Sequence, residues 1–105
     1  MVTAESASLR AAIATHRDAV DVILSRYQAA HPRLFGSVAR GDATPGSDID
    51  LLVELLPGGG NELLRVAGIA EELSQLLGTR VDVVARSLLR GEVSASALAG
   101  VSGIP

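Results

Sequence analysis

The stretch GSVARGDATPGSDID, residues 36–50, differs sharply from the mostly apolar chain around it. It contains three glycines, three aspartates, two serines and an arginine in fifteen positions, and the apolar run LLVELL follows it at 51–56. Asp48 and Asp50 therefore lie where a polar turn enters a buried strand. Burying carboxylates is costly unless a positive charge pairs with them. The stretch therefore predicts a cation at this point of the fold.

Alternation along the strand places Asp48 and Asp50 on one face, because side chains two residues apart in a strand point the same way. Their Cα atoms would be about 6.6 Å apart, twice the rise per residue. Both are hard oxygen donors, which bind Mg²⁺ together with water and phosphate. Asp82, in the strand RVDVVA at 80–85, can join them if the two strands are neighbours. Three carboxylates on one face repel each other unless a divalent metal neutralises them.

Gly36 and Ser37 supply a complementary feature, at the turn between the apolar segment RLF (33–35) and a short helix. Glycine allows a phosphate to approach the backbone closely, and a helix N-terminus offers free N–H groups. The Ser37 hydroxyl can donate one more hydrogen bond. Arg40, one turn further on, can add positive charge beside the same phosphates. The pattern predicts a triphosphate-binding turn next to a metal site.

The rest of the chain predicts an α/β or α+β fold with a small mixed sheet and flanking helices. Apolar periodicity predicts helices over 4–29 and 62–77, the second capped by Asn61 and Gly78. Strands are predicted over 33–35, 48–55 and 80–85, the first two paired through the loop and the third reached by a crossover. The tail from Ser87 begins as a helix and is expected to fray.

Composition limits the classes of function. The 105 residues suffice for one domain, and 48% apolar residues argue against disorder. A net charge of −3 argues against extensive nucleic-acid binding. The absence of cysteine excludes a disulfide framework and a thiolate metal site, and it fits a cytoplasmic location. Because no signal peptide and no apolar run near the roughly 18 residues of a membrane span are visible, we expect no membrane partner.

The segment GSVARGDATPGSDIDLLV, together with Asp82, resembles the signature of the DNA polymerase β-like nucleotidyltransferase superfamily. That signature is Gly-Ser, a spacer, Asp-x-Asp and a third acidic residue on a later strand. The short chain and the SDIDLLV run are most similar to the minimal nucleotidyltransferases, many of which are antitoxins paired with HEPN-domain ribonuclease toxins. The similarity covers about residues 33–84. It implies the nucleotidyltransferase fold and transfer of a nucleoside monophosphate with release of pyrophosphate.

The resemblance also implies roles for single residues. Asp48, Asp50 and Asp82 would be catalytic and would bind two Mg²⁺ ions, which Mn²⁺ could replace, and Asp82 would also help to deprotonate the acceptor hydroxyl. Gly36 and Ser37 would hold the β- and γ-phosphates of ATP. The full set predicted to bind the nucleotide is Gly36, Ser37, Arg40 and Ser47. We expect a single domain, with an N-terminal helix at 1–30, a catalytic core at 33–85 and a C-terminal helix or tail at 87–105.

The acceptor is the most open part of the prediction. The resemblance implies AMP transfer from ATP to a hydroxyl, that of a tyrosine, on a cognate HEPN-type toxin that forms a hetero-oligomer with this chain. One alternative is a catalytically silent antitoxin that acts by binding alone, and another is a small-molecule or RNA nucleotidyltransferase core. The presence of all three aspartates with Ser37 favours activity, since scaffolding needs none of them. The arginines outside the motif are expected to be solvated: Arg65, Arg80, Arg86 and Arg90.

Overall fold

The order of helices and strands follows the turn residues of the sequence. The computed structural model describes residues 2–88 and 101–105. The elements, in chain order, are α1 (Ala4–Thr15), α2 (Arg17–Arg26), β1 (Ala29–Phe35), α3 (Gly36–Arg40), β2 (Ile49–Leu55), α4 (Glu62–Leu77), β3 (Val81–Ala85), a short 3-10 helix (Arg86–Leu88) and β4 (Ser102–Gly103). The predicted fold class, a small mixed sheet with flanking helices, is confirmed.

The sheet has the strand order β3-β2-β1-β4. β1 runs antiparallel to β2 and to β4, whereas β2 and β3 are parallel. The parallel pair is joined through α4, because parallel neighbours need a crossover connection. As a result, the end of β1 and the beginnings of β2 and β3 lie at the same end of the sheet.

The core is aliphatic and is built on alternate positions of β2. Ile49, Leu51 and Val53 are at most 4% exposed and belong to the same buried cluster as Ile69 and Leu73 of α4. Side chains at the intervening positions point to the opposite face of the sheet, so Asp50 is directed away from this cluster. Burial of the odd positions therefore fixes the face on which the aspartate lies.

The helices match the prediction in one case and differ in the other. α4 spans Glu62–Leu77 as predicted: the Asn61 side chain accepts the Leu64 N–H at 3.0 Å, and Gly78 ends the helix at a φ of +68°. The single helix predicted over 4–29 is wrong. The segment instead forms two helices, α1 and α2, which meet at His16. The φ and ψ angles of His16, −104° and 18°, lie outside the helical region.

β1 is longer than the predicted strand 33–35, because it begins at Ala29. The additional residues are irregular: His31 has a φ of +53°, and the pairing with β2 shifts register between Ala30 and Arg33. Pro32 lies inside this irregularity, where its missing N–H removes no regular ladder bond. The strand therefore begins four residues before the predicted one and continues through this irregularity.

The tail is partly within the sheet. Ser102 and Gly103 pair with β1, and Ile104 packs against the core, so the expected fraying is wrong for these residues. Most of the helix expected from Ser87 onward falls on 89–100, which lie outside the described residues. Across 2–88 and 101–105, no helix is both long and apolar enough to cross a membrane.

Candidate active site

Most of the predicted site residues lie at the end of the sheet where β1 ends and β2 and β3 begin. Phe35 is paired with Asp50, and Asp50 is paired with Asp82 in the parallel register. Paired positions of neighbouring strands share a face of the sheet, so the carboxylates of Asp50 and Asp82 lie side by side. Asp48 immediately precedes β2 and approaches the same charged groups. Strand alternation and the crossover through α4 together produce this arrangement.

Gly36 brings the end of β1 against the Asp50 carboxylate. Its φ is +71°, a conformation that strongly favours glycine, and a Cβ at this position would overlap the carboxylate of Asp50. The register explains the contact, because Phe35, the residue before Gly36, is the partner of Asp50. Only a residue without a side chain lets the backbone pass so close to a carboxylate. The Gly-Ser turn and the aspartates are therefore parts of one structure.

Among the residues that the structure describes, Arg80 is the cation that lies nearest to Asp48 and Asp82. Its Nε donates a hydrogen bond to Asp82 Oδ1 at 3.2 Å and lies 3.7 Å from Asp48 Oδ2. All three side chains are partly solvated, with exposed fractions of 73% for Arg80, 42% for Asp82 and 36% for Asp48. Arg80 is solvated, as the sequence predicts, but it also contacts the carboxylate cluster. Its signal in the sequence is its position two residues before Asp82, which puts both side chains on one face.

The electrostatics of Asp50 reflect this crowding. Burial raises the pKa of Asp50 above its ordinary value, and the charges of Asp82 and Asp48 raise it further. Arg40 has the opposite effect on the same pKa. Negative charge is therefore in excess at Asp50, and a further cation there would be favourable.

Arg40 and Ser47 are close to the site but already have partners. The Nε of Arg40 donates to Asp42 Oδ2 at 3.3 Å, in a solvated pair. The hydroxyl of Ser47 accepts the N–H of Thr44 at 2.9 Å and so closes the turn before Asp48. The hydrogen bond within the turn thus explains the position of the Ser47 side chain. Arg40, in contrast, also lowers the pKa of Asp50.

The donor set fits a divalent cation in its chemistry. Three carboxylates at one end of a sheet offer the hard oxygen ligands that Mg²⁺ and Mn²⁺ prefer. In residues 2–88 and 101–105, however, no group of three or more His, Cys, Asp or Glu side chains is arranged to hold a metal ion. Because Arg80 pairs with Asp48 and Asp82, the carboxylates would have to turn from this partner to enclose a metal ion.

Helix α1 holds the segment between Gly36 and the aspartates in place. The buried Ser6 hydroxyl accepts the N–H of Ala43 at 2.9 Å, and the Thr3 hydroxyl donates to the carbonyl of Ala43 at 2.7 Å. Arg10 donates to the carbonyls of Val38 and Ala39 at the end of α3, at 3.3 and 3.1 Å. Apolar periodicity does not reveal these contacts, because the three side chains are polar and their partners are backbone atoms.

A family model described as a nucleotidyltransferase domain matches residues 17–99. The chain belongs to the nucleotidyltransferase domain family. The match includes all the predicted site residues and confirms the resemblance that the Gly-Ser and Asp-x-Asp motifs suggested.

Two solved structures are similar to this nucleotidyltransferase domain. One, described provisionally as a minimal nucleotidyltransferase, has a TM-score of 0.72 and 38% identity and covers 91% of this chain and 94% of that chain. The other is the crystal structure of a toxin–antitoxin with AMP-PNP, with a TM-score of 0.62 and 22% identity over 77% of this chain and 64% of that chain. The second likeness shows the fold alone. The predicted nucleotidyltransferase fold is confirmed.

Several sequence relatives carry the name protein adenylyltransferase. Protein adenylyltransferase MntA of Thermococcus cleftensis is 39% identical over 67 residues, which is 62% of this chain and 64% of that protein. A protein of Methanocaldococcus jannaschii, named provisionally as an adenylyltransferase, is 40% identical over 62 residues, which is 59% of this chain and 64% of the relative. The chain thus spans about 64% of the length of these two relatives.

Proposed function

We propose that this nucleotidyltransferase domain transfers AMP from ATP to a hydroxyl group of a partner protein. The observation that carries the proposal is the convergence of Gly36-Ser37 with Asp48, Asp50 and Asp82 at one end of the sheet. Family membership and the names of the relatives support adenylyl transfer to a protein as the chemistry. The domain organisation given above, a single domain with its catalytic core at 33–85, is part of the proposal.

In the proposed reaction the acceptor oxygen bonds to the α-phosphorus of ATP, and the bond from that phosphorus to the β-phosphate oxygen breaks. AMP is then joined to the acceptor and pyrophosphate leaves. Gly36 and Ser37 bind the β- and γ-phosphates, which become the pyrophosphate, and Arg40 adds positive charge beside them. Asp82 accepts the proton of the acceptor hydroxyl. Ser47 contributes by closing the turn that sets the position of Asp48.

Asp48, Asp50 and Asp82 are the residues that would hold Mg²⁺. When bound, two such ions neutralise charge on the attacking and leaving oxygens of an in-line displacement. The excess negative charge at Asp50 supports this assignment, since a cation would relieve it. Mn²⁺ would serve in place of Mg²⁺, because both accept oxygen ligands.

The proposed acceptor is a tyrosine of a HEPN-type toxin that forms a hetero-oligomer with this chain in the cytoplasm. The support is the resemblance of the motif to the minimal nucleotidyltransferases, together with a structural neighbour that is itself a toxin–antitoxin. The nucleophile has to come from outside the carboxylate cluster, because the three carboxylates of the cluster are assigned to binding metal ions and accepting a proton.

The test is intact mass spectrometry of the neighbouring gene's product after incubation with this chain, ATP and Mg²⁺. We expect the partner to gain mass in units of AMP with the wild type and none with the Ser37→Ala, Asp48→Asn double variant. Growth of cells that express the partner is measured in parallel. If the wild type and the double variant rescue growth equally and neither adds mass to the partner, the chain acts by binding alone. The pairing of Arg80 with Asp48 and Asp82 would favour that alternative.

A further inference from the structure

Arg80 is held at the carboxylate cluster by its backbone and not only by its side chain. The N–H of Ile49, at the start of β2, donates to the carbonyl of Arg80 at 3.0 Å. The following residue, Val81, is paired with Ile49 in the parallel register. The Cα of Arg80 is therefore fixed beside the entrance to β2, where its side chain reaches Asp48 and Asp82.

The side chain of Arg80 is free to leave, in contrast to its backbone. It is 73% exposed, and its contacts with Asp82 and Asp48 are 3.2 and 3.7 Å long. Exposed pairs of this kind each contribute little stability. A guanidinium in this position nevertheless cancels part of the repulsion among three neighbouring carboxylates. Arg80 can thus stabilise the cluster without blocking it permanently.

We propose that Arg80 is an internal counter-ion that competes with divalent metal for Asp48 and Asp82. In its contact with these two aspartates, Arg80 neutralises the carboxylates and holds them turned toward itself. Metal binding requires the same oxygens, so it displaces the guanidinium toward solvent. This inference rests on the proposed metal-binding role of the aspartates. It predicts that Arg80 lowers the affinity for metal while it stabilises the metal-free protein.

The test is calorimetric titration of the full chain with Mn²⁺, without nucleotide, for the wild type and for Arg80→Gln, Arg80→Lys and Arg86→Gln. Arg86 is the matched control, because it is also an exposed arginine, 3.7 Å from Glu54 at the other end of the strand. We expect Arg80→Gln to bind Mn²⁺ about 2- to 10-fold more tightly, the factor that corresponds to losing one or two weak ion pairs. The lysine variant, which keeps the charge, and the control should stay close to the wild type.

A second readout is the melting temperature, measured first without metal and then with it. In the presence of a chelator, Arg80→Gln should melt at a lower temperature than the wild type, and its gain on adding Mg²⁺ should be larger. Equal or weaker Mn²⁺ binding by Arg80→Gln would overturn the inference but leave the metal site intact. If neither protein binds Mn²⁺, both the inference and the proposed metal role are wrong. Binding by Arg80→Gln alone would be the strongest support.

Discussion

The backbone of Gly36 lies directly against the carboxylate of Asp50, at a φ of +71°. This contact joins the Gly-Ser turn to the Asp-x-Asp motif, and it has no room for a Cβ atom. Gly36 and Asp50, fourteen positions apart along the chain, thus join the two motifs into one structural unit at the end of the sheet.

Gly36→Ala should damage the site more than positive φ alone explains. Alanine in a left-handed conformation costs about 1–2 kcal/mol, and at position 36 it also displaces the Asp50 carboxylate. Gly58→Ala is the matched control: its φ is +83°, but no atom lies within 4 Å of the added Cβ. Thermal melts and Mn²⁺ titrations of both variants are the measurement. Equal behaviour of the two variants would contradict the contact between Gly36 and Asp50.

Asp50→Asn should separate stability from function. Burial and two neighbouring carboxylates raise the pKa of Asp50, so the ionised form is unfavourable in the folded protein. The contribution of Asp50 to the free energy of unfolding therefore falls as pH rises above the ordinary pKa of 3.8. At neutral pH, with a chelator present to remove metal ions, Asp50→Asn should have a higher melting temperature than the wild type. The same variant should lose its Mg²⁺-dependent gain in melting temperature and at least about 100-fold in AMP transfer. If Asp50→Asn melts at a lower temperature than the wild type in chelator, the repulsion of Asp50 by the two neighbouring carboxylates is contradicted.

Arg65 is a buried structural residue, so the expectation that its side chain is solvated is wrong. It is 6% exposed, and its guanidinium donates to the carbonyls of Tyr27, Gln28 and Leu56 at 2.8–3.0 Å. Arg65→Met should cost about 2–5 kcal/mol in the free energy of unfolding, because three carbonyls lose a charged donor. Urea denaturation measures this loss, with Arg17→Met as the control, since the contacts of Arg17 with Asp21 and with the carbonyl of Pro105 are both exposed. A loss below about 1 kcal/mol would contradict this role.

Tyr27 and Glu72 give the fold a pH dependence away from the site. The hydrogen bond from the Tyr27 hydroxyl lowers the pKa of Glu72, and the same bond raises the pKa of Tyr27. The Glu72 contribution is present above its ordinary value of 4.5 and is lost as pH falls below it, whereas the Tyr27 contribution is present below 10.0 and is lost as pH rises above it.

Chemical denaturation of Glu72→Gln between about pH 6 and about pH 3 tests the acid side of this dependence. The stability difference from the wild type should shrink as pH falls. Glu71→Gln is the control, because Glu71 bonds only to the exposed Gln75 among the described side chains. Parallel curves for the two variants would show that the bond between Tyr27 and Glu72 does not act on stability.

Much of the fold follows from local signals, and the exceptions have physical causes. Asn61 and Gly78 mark α4 correctly because caps act within one turn of the helix. The buried face of α4 is only partly predicted: apolar spacing predicts a stripe through Val66, Ala70, Leu73 and Leu77, and of these Leu73 is buried. The other buried residues of the helix are Arg65 and Ile69. A stripe drawn from apolar residues omits Arg65, whose carbonyl partners Tyr27 and Gln28 are 37 or 38 residues away.

The candidate site was predictable to the extent that strand geometry determines it. Alternation and the crossover predict that Asp50 and Asp82 share a face, and the register between β2 and β3 pairs them directly. The contact of Arg80 with Asp82 follows from the same alternation, because Arg80 lies two positions before Asp82 and its side chain shares that face. The support of the site by Thr3, Ser6 and Arg10 could not be predicted, because their backbone partners are 28–40 residues away.

The most direct test of the account follows the phosphorus atoms of ATP. The chain and its neighbouring gene's product are incubated with Mg²⁺ and with ATP labelled at either the α- or the γ-phosphorus, and the label bound to protein is measured. We predict that the α label appears on the partner and that the γ label leaves with pyrophosphate. Transfer of the γ label, or transfer of the α label that persists in Asp50→Asn, would contradict nucleotidyl transfer by these aspartates.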